Sequence, residues 1–152
     1  MSKDQEYLDN FERENITFAS FGKRAWAFTI DEVIVSVVMV LAFWNIIANT
    51  NDPQVIINNL NQNIFFVILL KISYHTFFTW FYGQTLGKKM LKIRVIDCDT
   101  LDSPHLLLAL NRSVLRMLSE FLLYIGFFFY FLSPICQALH DKLSKVVVVN
   151  DN

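Results

Sequence analysis

Three long apolar runs, separated by polar links, set the pattern of this chain. The first run covers about residues 25–48 and the second about residues 64–82. Each is close to the roughly 20 apolar residues that a helix needs to cross a bilayer. Trp26 and Trp44 stand near the two ends of the first run and Trp80 near the end of the second, where amphipathic rings favour the membrane interface. We therefore predict two transmembrane helices.

The third apolar run, at about 118–139, is strongly aromatic and predicts a third membrane-embedded helical segment. Two topologies stay open: a single crossing that leaves the C-terminus outside, or a hairpin that turns back near Gly126. The four valines at 146–149 predict a strand, and alternating apolar and basic residues at 91–96 predict another. A strand needs backbone partners, and these two can pair in a small cytoplasmic sheet only in the hairpin topology. Lys142 and the other cations near the C-terminus also favour the hairpin.

The two polar links differ in their content of basic residues. Residues 49–63 contain no lysine or arginine, whereas residues 83–116 contain Lys88, Lys89, Lys92, Arg94, Arg112 and Arg116. By the positive-inside rule the second link is cytoplasmic, the first is external, and the N-terminus is cytoplasmic. Residues 1–20 are then an acidic cytoplasmic tail without the basic start and apolar core of a signal peptide. Two forms of this tail stay open: a short helix on the membrane surface with Tyr7, Leu8 and Phe11 on one face, or a frayed segment. Within the second link, Ser103 and Pro104 predict the start of an amphipathic helix on the membrane surface.

Composition narrows the class of protein further. The chain has 152 residues, enough for one domain, and its charged fraction of 18% lies below the roughly 25% of soluble domains. A net charge of −1 gives no basic surface for nucleic acid. Cys98 and Cys136 stand far apart, which indicates free thiols, not a disulfide framework or a zinc site. Motifs of hydrolases, intramembrane proteases and haem proteins are absent, so we expect neither an enzyme nor a cofactor.

Ionisable side chains in or beside the apolar runs are the candidate functional residues, because charges inside a bilayer are costly. Arg24 and Asp31 are seven residues apart and share a helix face, about 10 Å apart along the axis. In an antiparallel second helix, His75 lies at the depth of Asp31, with Lys71 one turn deeper. The full set is Arg24, Asp31, Glu32, Lys71, His75, Arg112, Arg116 and Glu120.

Two hypotheses account for these charges. In the first, they form a site for a proton or a monovalent cation in a transporter. In the second, they form a polar clamp that holds the helices of a non-transporting scaffold or accessory subunit together. Asp31, a carboxylate with possible partners at matching depth on the second helix, is central to both.

The run Gly-Gln-Thr-Leu-Gly-Lys-Lys at 83–89 resembles a phosphate-binding loop only superficially. A P-loop has four residues between its glycines and a serine or threonine after the lysine; here three residues and Lys89 occupy those places. We therefore exclude nucleotide binding. The glycines are expected to let the chain leave the membrane in a tight turn. Lys88 and Lys89 suit the anionic inner leaflet of the bilayer.

These motifs together resemble the RDD family, small bacterial membrane proteins named for an arginine and two aspartates. The family residues correspond to Arg24, Asp31 and Asp141, and the resemblance covers about residues 18–149. It rests further on the segments at 83–88, 91–97, 111–116 and 146–149. The resemblance implies location in a membrane and the transport of ions, including cation–proton exchange. It adds Asp141, which lies beyond the last apolar run, to the candidate site.

The prediction is thus an all-α membrane protein of the bacterial inner membrane. It has two clear transmembrane helices, a third embedded segment that crosses or turns back, and a small cytoplasmic strand pair. Residues 1–20 form the tail and residues 21–149 the membrane domain. Two or three helices seldom enclose a solute path, so we expect a homo-oligomer or a membrane partner protein.

Overall fold

The computed structural model describes residues 3–122 and 125–151, with the side chains of 125–127 excepted. Nine helices and two strands occur in these ranges. In chain order they are α1 (Lys3–Arg13), α2 (Phe21–Ala42), α3 (Trp44–Asn49), α4 (Pro53–Gln62), α5 (Ile64–Tyr82), α6 (Leu86–Met90), β1 (Ile93–Asp97), α7 (Leu106–Phe121), α8 (Ile125–Leu132), α9 (Leu139–Leu143) and β2 (Val146–Asn150).

Helices α2 and α5 are long and apolar enough to cross a membrane. Helix α5 has the predicted bounds and ends at Gly83, whose φ of 68° suits a residue without a side chain. Helix α2 begins earlier than predicted because the Ser20 side chain accepts a hydrogen bond from the Lys23 N–H and caps the first turn. It also ends earlier, at Ala42, and α3 continues the chain in its place.

The surfaces of α2 and α5 are the reverse of those of a water-soluble helix. Large apolar side chains such as Leu41 and Phe65 are exposed, whereas the buried residues of α2 include Arg24 and Asp31. Charges turned inward and apolar side chains turned outward are what a lipid surrounding favours.

The predicted strand pair is confirmed. Strands β1 and β2 are antiparallel, and Val95 lies opposite Val148. The segment before α2 adds to the edge of β2, where the Ala19 N–H donates to the carbonyl oxygen of Val148 over 3.1 Å. The N-terminal segment, the second polar link and the C-terminal strand therefore pack together at one end of α2 and α5.

The two faces of this small sheet bury different partners because strand side chains alternate. Val147 and Val149 face α1 and pack around Phe11, which is fully buried. Val146 and Val148 face α2 and pack against Ala27. The N-terminal segment is thus a helix docked on the sheet, a position that the acidic pattern of residues 1–20 did not indicate.

The third membrane-embedded segment is not confirmed. Within the described residues, the run at 118–139 is divided between the end of α7, helix α8 and a loop. The hairpin turn predicted near Gly126 adjoins residues 123–124, which lie outside the described residues. Helix α8 nevertheless returns towards the sheet, since the hydroxyl of Tyr130 donates to the carbonyl oxygen of Ala19 over 3.2 Å.

Helix α7 has the predicted apolar side, but its charged side faces inward. Its buried residues include Arg112 and Arg116, and its exposed residues include Leu107 and Leu118. It packs along α5, which runs in the opposite direction. The arginines therefore lie inside the helical bundle, although the sequence predicted only that this helix begins on the membrane surface.

Candidate functional site

Three groups of buried or partly buried polar contacts surround α2. We call them the Asp141 cluster (Asp141, Arg24 and Arg112), the Asp31 cluster (Asp31, Tyr74, Thr85 and Gly87) and the Lys71 cluster (Lys71, Glu32 and Glu120). Each joins at least two elements of the fold, and together they contain seven of the nine sequence-predicted site residues. The other two, Arg116 and His75, lie beside the Lys71 cluster.

The Asp141 cluster joins α2, α7 and α9. Nη1 of Arg24 lies 3.2 Å from one carboxylate oxygen of Asp141, and Nε of Arg112 lies 2.7 Å from the other. Nη2 of Arg24 also donates to the carbonyl oxygen of Val148 over 3.0 Å, which ties the cluster to β2. The guanidinium of Arg24 stacks over the Tyr130 ring at 4.9 Å. All three charged groups are buried, so they depend on one another for compensation.

Electrostatics keep Asp141 ionised and its neighbour His140 neutral. Burial raises the pKa of Asp141, but Arg112, His140 and Arg24 outweigh it and hold that pKa well below its usual range. Burial lowers the pKa of His140 to about 3, against the attraction of Asp141. At neutral pH the His140 ring is therefore uncharged, and its Nε2, 3.6 Å from Asp141, makes a close contact and not an ion pair.

The Asp31 cluster fastens the turn after α5 onto α2. The carboxylate of Asp31 accepts hydrogen bonds from the Thr85 hydroxyl at 2.6 Å, the Gly87 N–H at 2.9 Å and the Tyr74 hydroxyl at 3.0 Å. Asp31 is 0% exposed. Three donors directed at one carboxylate satisfy its oxygens without a cation in contact.

Close approach of α6 to α2 depends on Gly87. A Cβ at this position would overlap the carbonyl oxygen of Ala27 and would lie 3.0 Å from the Asp31 carboxylate. Only glycine therefore lets the backbone N–H reach Asp31. The neighbouring Lys88 is buried, and its Nζ donates to the Thr85 hydroxyl over 3.3 Å.

The Lys71 cluster lies nearer the start of α5 than Tyr74 of the Asp31 cluster. Nζ of Lys71 is 2.9 Å from Glu32 on α2 and 3.1 Å from Glu120 on α7. Nε of Arg116 is 3.5 Å from Glu120, and its Nη1 is 3.0 Å from Nδ1 of His75. These contacts form a continuous polar line between α2, α5 and α7.

A cavity of about 30 Å³ lies between the clusters and the sheet. Its described wall includes four basic side chains but one carboxylate, that of Asp141. The basic side chains are Arg24, Lys88, Arg112 and Arg116. Burial, and next the repulsion from Arg112, lower the pKa of Lys88 to about 7. With three arginines, a partly charged lysine and one carboxylate, the described wall of the cavity is electropositive, and the cavity has room for a compact polar group.

The structure shows which partners the predicted residues take. Arg24 and Asp31, which the sequence placed on one helix face but apart along the axis, do not pair, and Arg24 contacts Asp141. His75 contacts Arg116 instead of Asp31, although its neighbour Tyr74 does reach Asp31. Lys71, predicted one turn deeper than His75, pairs with Glu32 and also with Glu120. All nine residues lie in these clusters or beside them, and their functional role stays a prediction.

Sequence reasoning missed Thr85, Gly87, Lys88 and His140. The run at 83–89 was interpreted as a turn facing the inner leaflet, but Lys88 is 6% exposed while Lys89 is exposed. His140 was not among the candidate residues, yet it is buried beside Asp141. The available signal was the small and hydroxyl side chains within that run. In the part of the chain that the structure describes, no group of His, Cys, Asp and Glu side chains could hold a metal ion.

Comparison with known proteins gives two matches of interest. The family model described as RDD matches residues 18–145. An uncharacterized protein of Rickettsia prowazekii (strain Madrid E) is 33% identical over 100 residues, which are 61% of this chain. The matched region covers 56% of that relative, so the chain spans little more than half its length. No solved structure matches the chain.

Proposed function

The chain belongs to the RDD family, and from this premise we propose that it is a multi-pass inner-membrane scaffold whose buried charges clamp membrane helices to a cytoplasmic sheet. Family membership and the two apolar helices make it a membrane protein. The scaffold assignment rests on the hydrogen bonds that the Asp31 carboxylate accepts from its own chain. A carboxylate that is fully enclosed and accepts three hydrogen bonds from its own chain has no free position for a passing ion.

The proposed topology places both termini in the cytoplasm. Because the N-terminal segment, the second link and β2 pack together, they lie on one side of the membrane. That link carries Lys89, Lys92 and Arg94, whereas residues 49–63 carry no lysine or arginine. The positive-inside rule favours the cytoplasm for the basic side. Helices α7 and α8 then form a hairpin that enters the membrane and returns.

A reporter fused after Asn152 tests this topology. We expect alkaline phosphatase fused there to be inactive and a fluorescent protein to be bright, because phosphatase needs the oxidising exterior. The matched control inserts the same reporters after Asp52, in the link predicted to be external, where the opposite result is expected. An active phosphatase after Asn152 would contradict the hairpin and the cytoplasmic C-terminus.

The Lys71 cluster favours a second candidate function, transport of a proton or a monovalent cation. The side chains of Lys71 and Glu32 are 18% and 27% exposed, so this ion pair is accessible in a way that Asp31 is not. It lies within the apolar length of α2 and α5. Two helices and a hairpin do not enclose a path, so this candidate requires a homo-oligomer.

Asp31→Asn separates the two candidates. In the scaffold, an amide nitrogen would face one of the three donors, so we expect a loss of about 1–3 kcal/mol in the free energy of unfolding in detergent. Proton and sodium flux into vesicles carrying the wild-type protein should equal that of empty vesicles. The control is Ser36→Ala, which changes an exposed position of the same helix and should leave stability unchanged.

The transporter is supported by a different set of results. Wild-type vesicles would show flux above the empty-vesicle level, and Lys71→Gln would lower it while the amount of folded protein stays constant. That outcome would overturn the scaffold proposal. Loss of flux in direct proportion to loss of folded protein would not support a transport role for the substituted residue.

A further inference from the structure

The electropositive cavity contains more buried donors than its own chain satisfies. Nε of Arg24, Nη1 of Arg112 and Nη2 of Arg116 have no hydrogen-bond partner among the described residues. These arginines are at most 7% exposed. Buried donors that lack partners are costly, and several around one cavity indicate a missing acceptor.

The net positive charge of the cavity wall also indicates a missing acceptor. Arg24 and Arg112 share a single carboxylate, and Arg116 and Lys88 add further positive charge beside them. Asp31 and Glu120 are not part of the described wall, and they offset only part of this excess: Asp31 acts on Lys88 through its charge, and Glu120 lies 3.5 Å from Nε of Arg116. An anion in the cavity would compensate the buried cations and fill the vacant donor positions in one step.

Size and position narrow the class of anion. A volume of about 30 Å³ suits a compact group and excludes a nucleotide or a sugar. The cavity lies where α2 meets the sheet, at the predicted headgroup level of the membrane. Aromatic side chains, Phe21 and Tyr130, line one side of it, and Phe21 is partly exposed. Basic pockets in this position between membrane helices recognise lipid phosphates.

We propose that this cavity binds a phosphate group, with Lys88, Arg112 and Arg116 as its principal donors. The group is either the headgroup phosphate of an anionic phospholipid or inorganic phosphate. This site is distinct from the Asp31 and Lys71 clusters and does not depend on whether the protein transports ions. The pKa of Lys88 near 7 fits a lysine that gains its full charge when an anion neutralises its neighbours.

Lys88→Gln tests the site, with Lys89→Gln as the matched control. Lys88 is buried at the cavity wall, whereas Lys89 is exposed on the same short helix, so the two variants lose the same charge. Thermal unfolding of the full chain in a neutral detergent is followed by tryptophan fluorescence. One arm adds phosphatidylglycerol against phosphatidylcholine in mixed micelles; the other adds potassium phosphate against potassium chloride at equal ionic strength.

The expected result is a rise in the unfolding midpoint with phosphatidylglycerol, whose phosphate is not paired with a headgroup cation as in phosphatidylcholine, or with potassium phosphate, because a ligand that binds only the folded state stabilises it. The probe concentration that gives half of the maximal rise in the midpoint should increase about 10-fold in Lys88→Gln, because this variant loses one charged hydrogen bond. Lys89→Gln should match the wild type, and Lys88→Arg should restore binding. An effect of phosphatidylglycerol alone identifies a lipid headgroup; an effect of potassium phosphate as well identifies a site open to the free ion.

Equal midpoints with phosphate and chloride, together with equal midpoints in the two lipids, would overturn the proposal. Equal weakening in Lys88→Gln and Lys89→Gln would also overturn it, since that is the behaviour of a diffuse surface charge. Native mass spectrometry of the wild-type protein gives a readout without any variant. Retention of phosphatidylglycerol or phosphate over phosphatidylcholine and chloride is expected, and no preference for either phosphate source would contradict the site.

Discussion

Replacing Asp141 with asparagine is expected to lower the free energy of unfolding by about 3–5 kcal/mol, the cost of leaving buried charges without their partner. Arg24 and Arg112 lie 3.2 and 2.7 Å from its two carboxylate oxygens, and all three side chains are buried. Asparagine has nearly the same shape but no charge. The loss is therefore electrostatic, and little of it comes from packing.

Unfolding in detergent measures this effect, with Asp9→Asn as the control at an exposed position of α1. The control should remain within about 0.5 kcal/mol of the wild type. The double variant Asp141→Asn, Arg112→Gln should recover part of the loss, because it removes one of the two orphaned cations. A single variant as stable as the wild type would contradict the view that this cluster holds α2, α7 and α9 together.

Gly87→Ala is expected to destabilise the protein by about 3 kcal/mol, from overpacking and the loss of a charged hydrogen bond. The added Cβ would overlap the carbonyl oxygen of Ala27, which belongs to the backbone of α2 and cannot rotate away. Helix α6 must then move, and the Gly87 N–H would lose its contact of 2.9 Å with Asp31.

Gly22→Ala is the matched control, since a Cβ at Gly22 meets nothing within 4 Å. Alanine there should be neutral or stabilising by up to about 1 kcal/mol, because it favours the helical state. Both variants are measured by chemical unfolding in detergent and by protection of Lys88 from amine labelling. Equal stability and equal labelling in Gly87→Ala and the wild type would contradict the close approach of α6 to α2.

The sequence predicted the parts of this fold that depend on local pattern. The bounds of α5 follow from an apolar run of fixed length, and the strands β1 and β2 follow from β-branched and alternating residues. The break between α2 and α3 at Phe43 was not predicted. Helix α4 was not predicted either, because polar asparagines and a proline suit a loop and a capped helix equally. The docking of α1 on the sheet was not predicted, because its partner surface forms only when both strands pair.

For the candidate site, the sequence determined which residues are costly to bury and the depth at which they lie. A helical period places Arg24 and Asp31 on one face, but it does not identify the partners that other elements bring to them. Tertiary structure decided that Arg24 pairs with Asp141, 117 residues away, and that Asp31 pairs with Thr85 and Gly87. The physical reason is that an ion pair forms between side chains that meet in space, and in a bundle of helices the packing of α6, α7 and α9 against α2 decides which side chains meet.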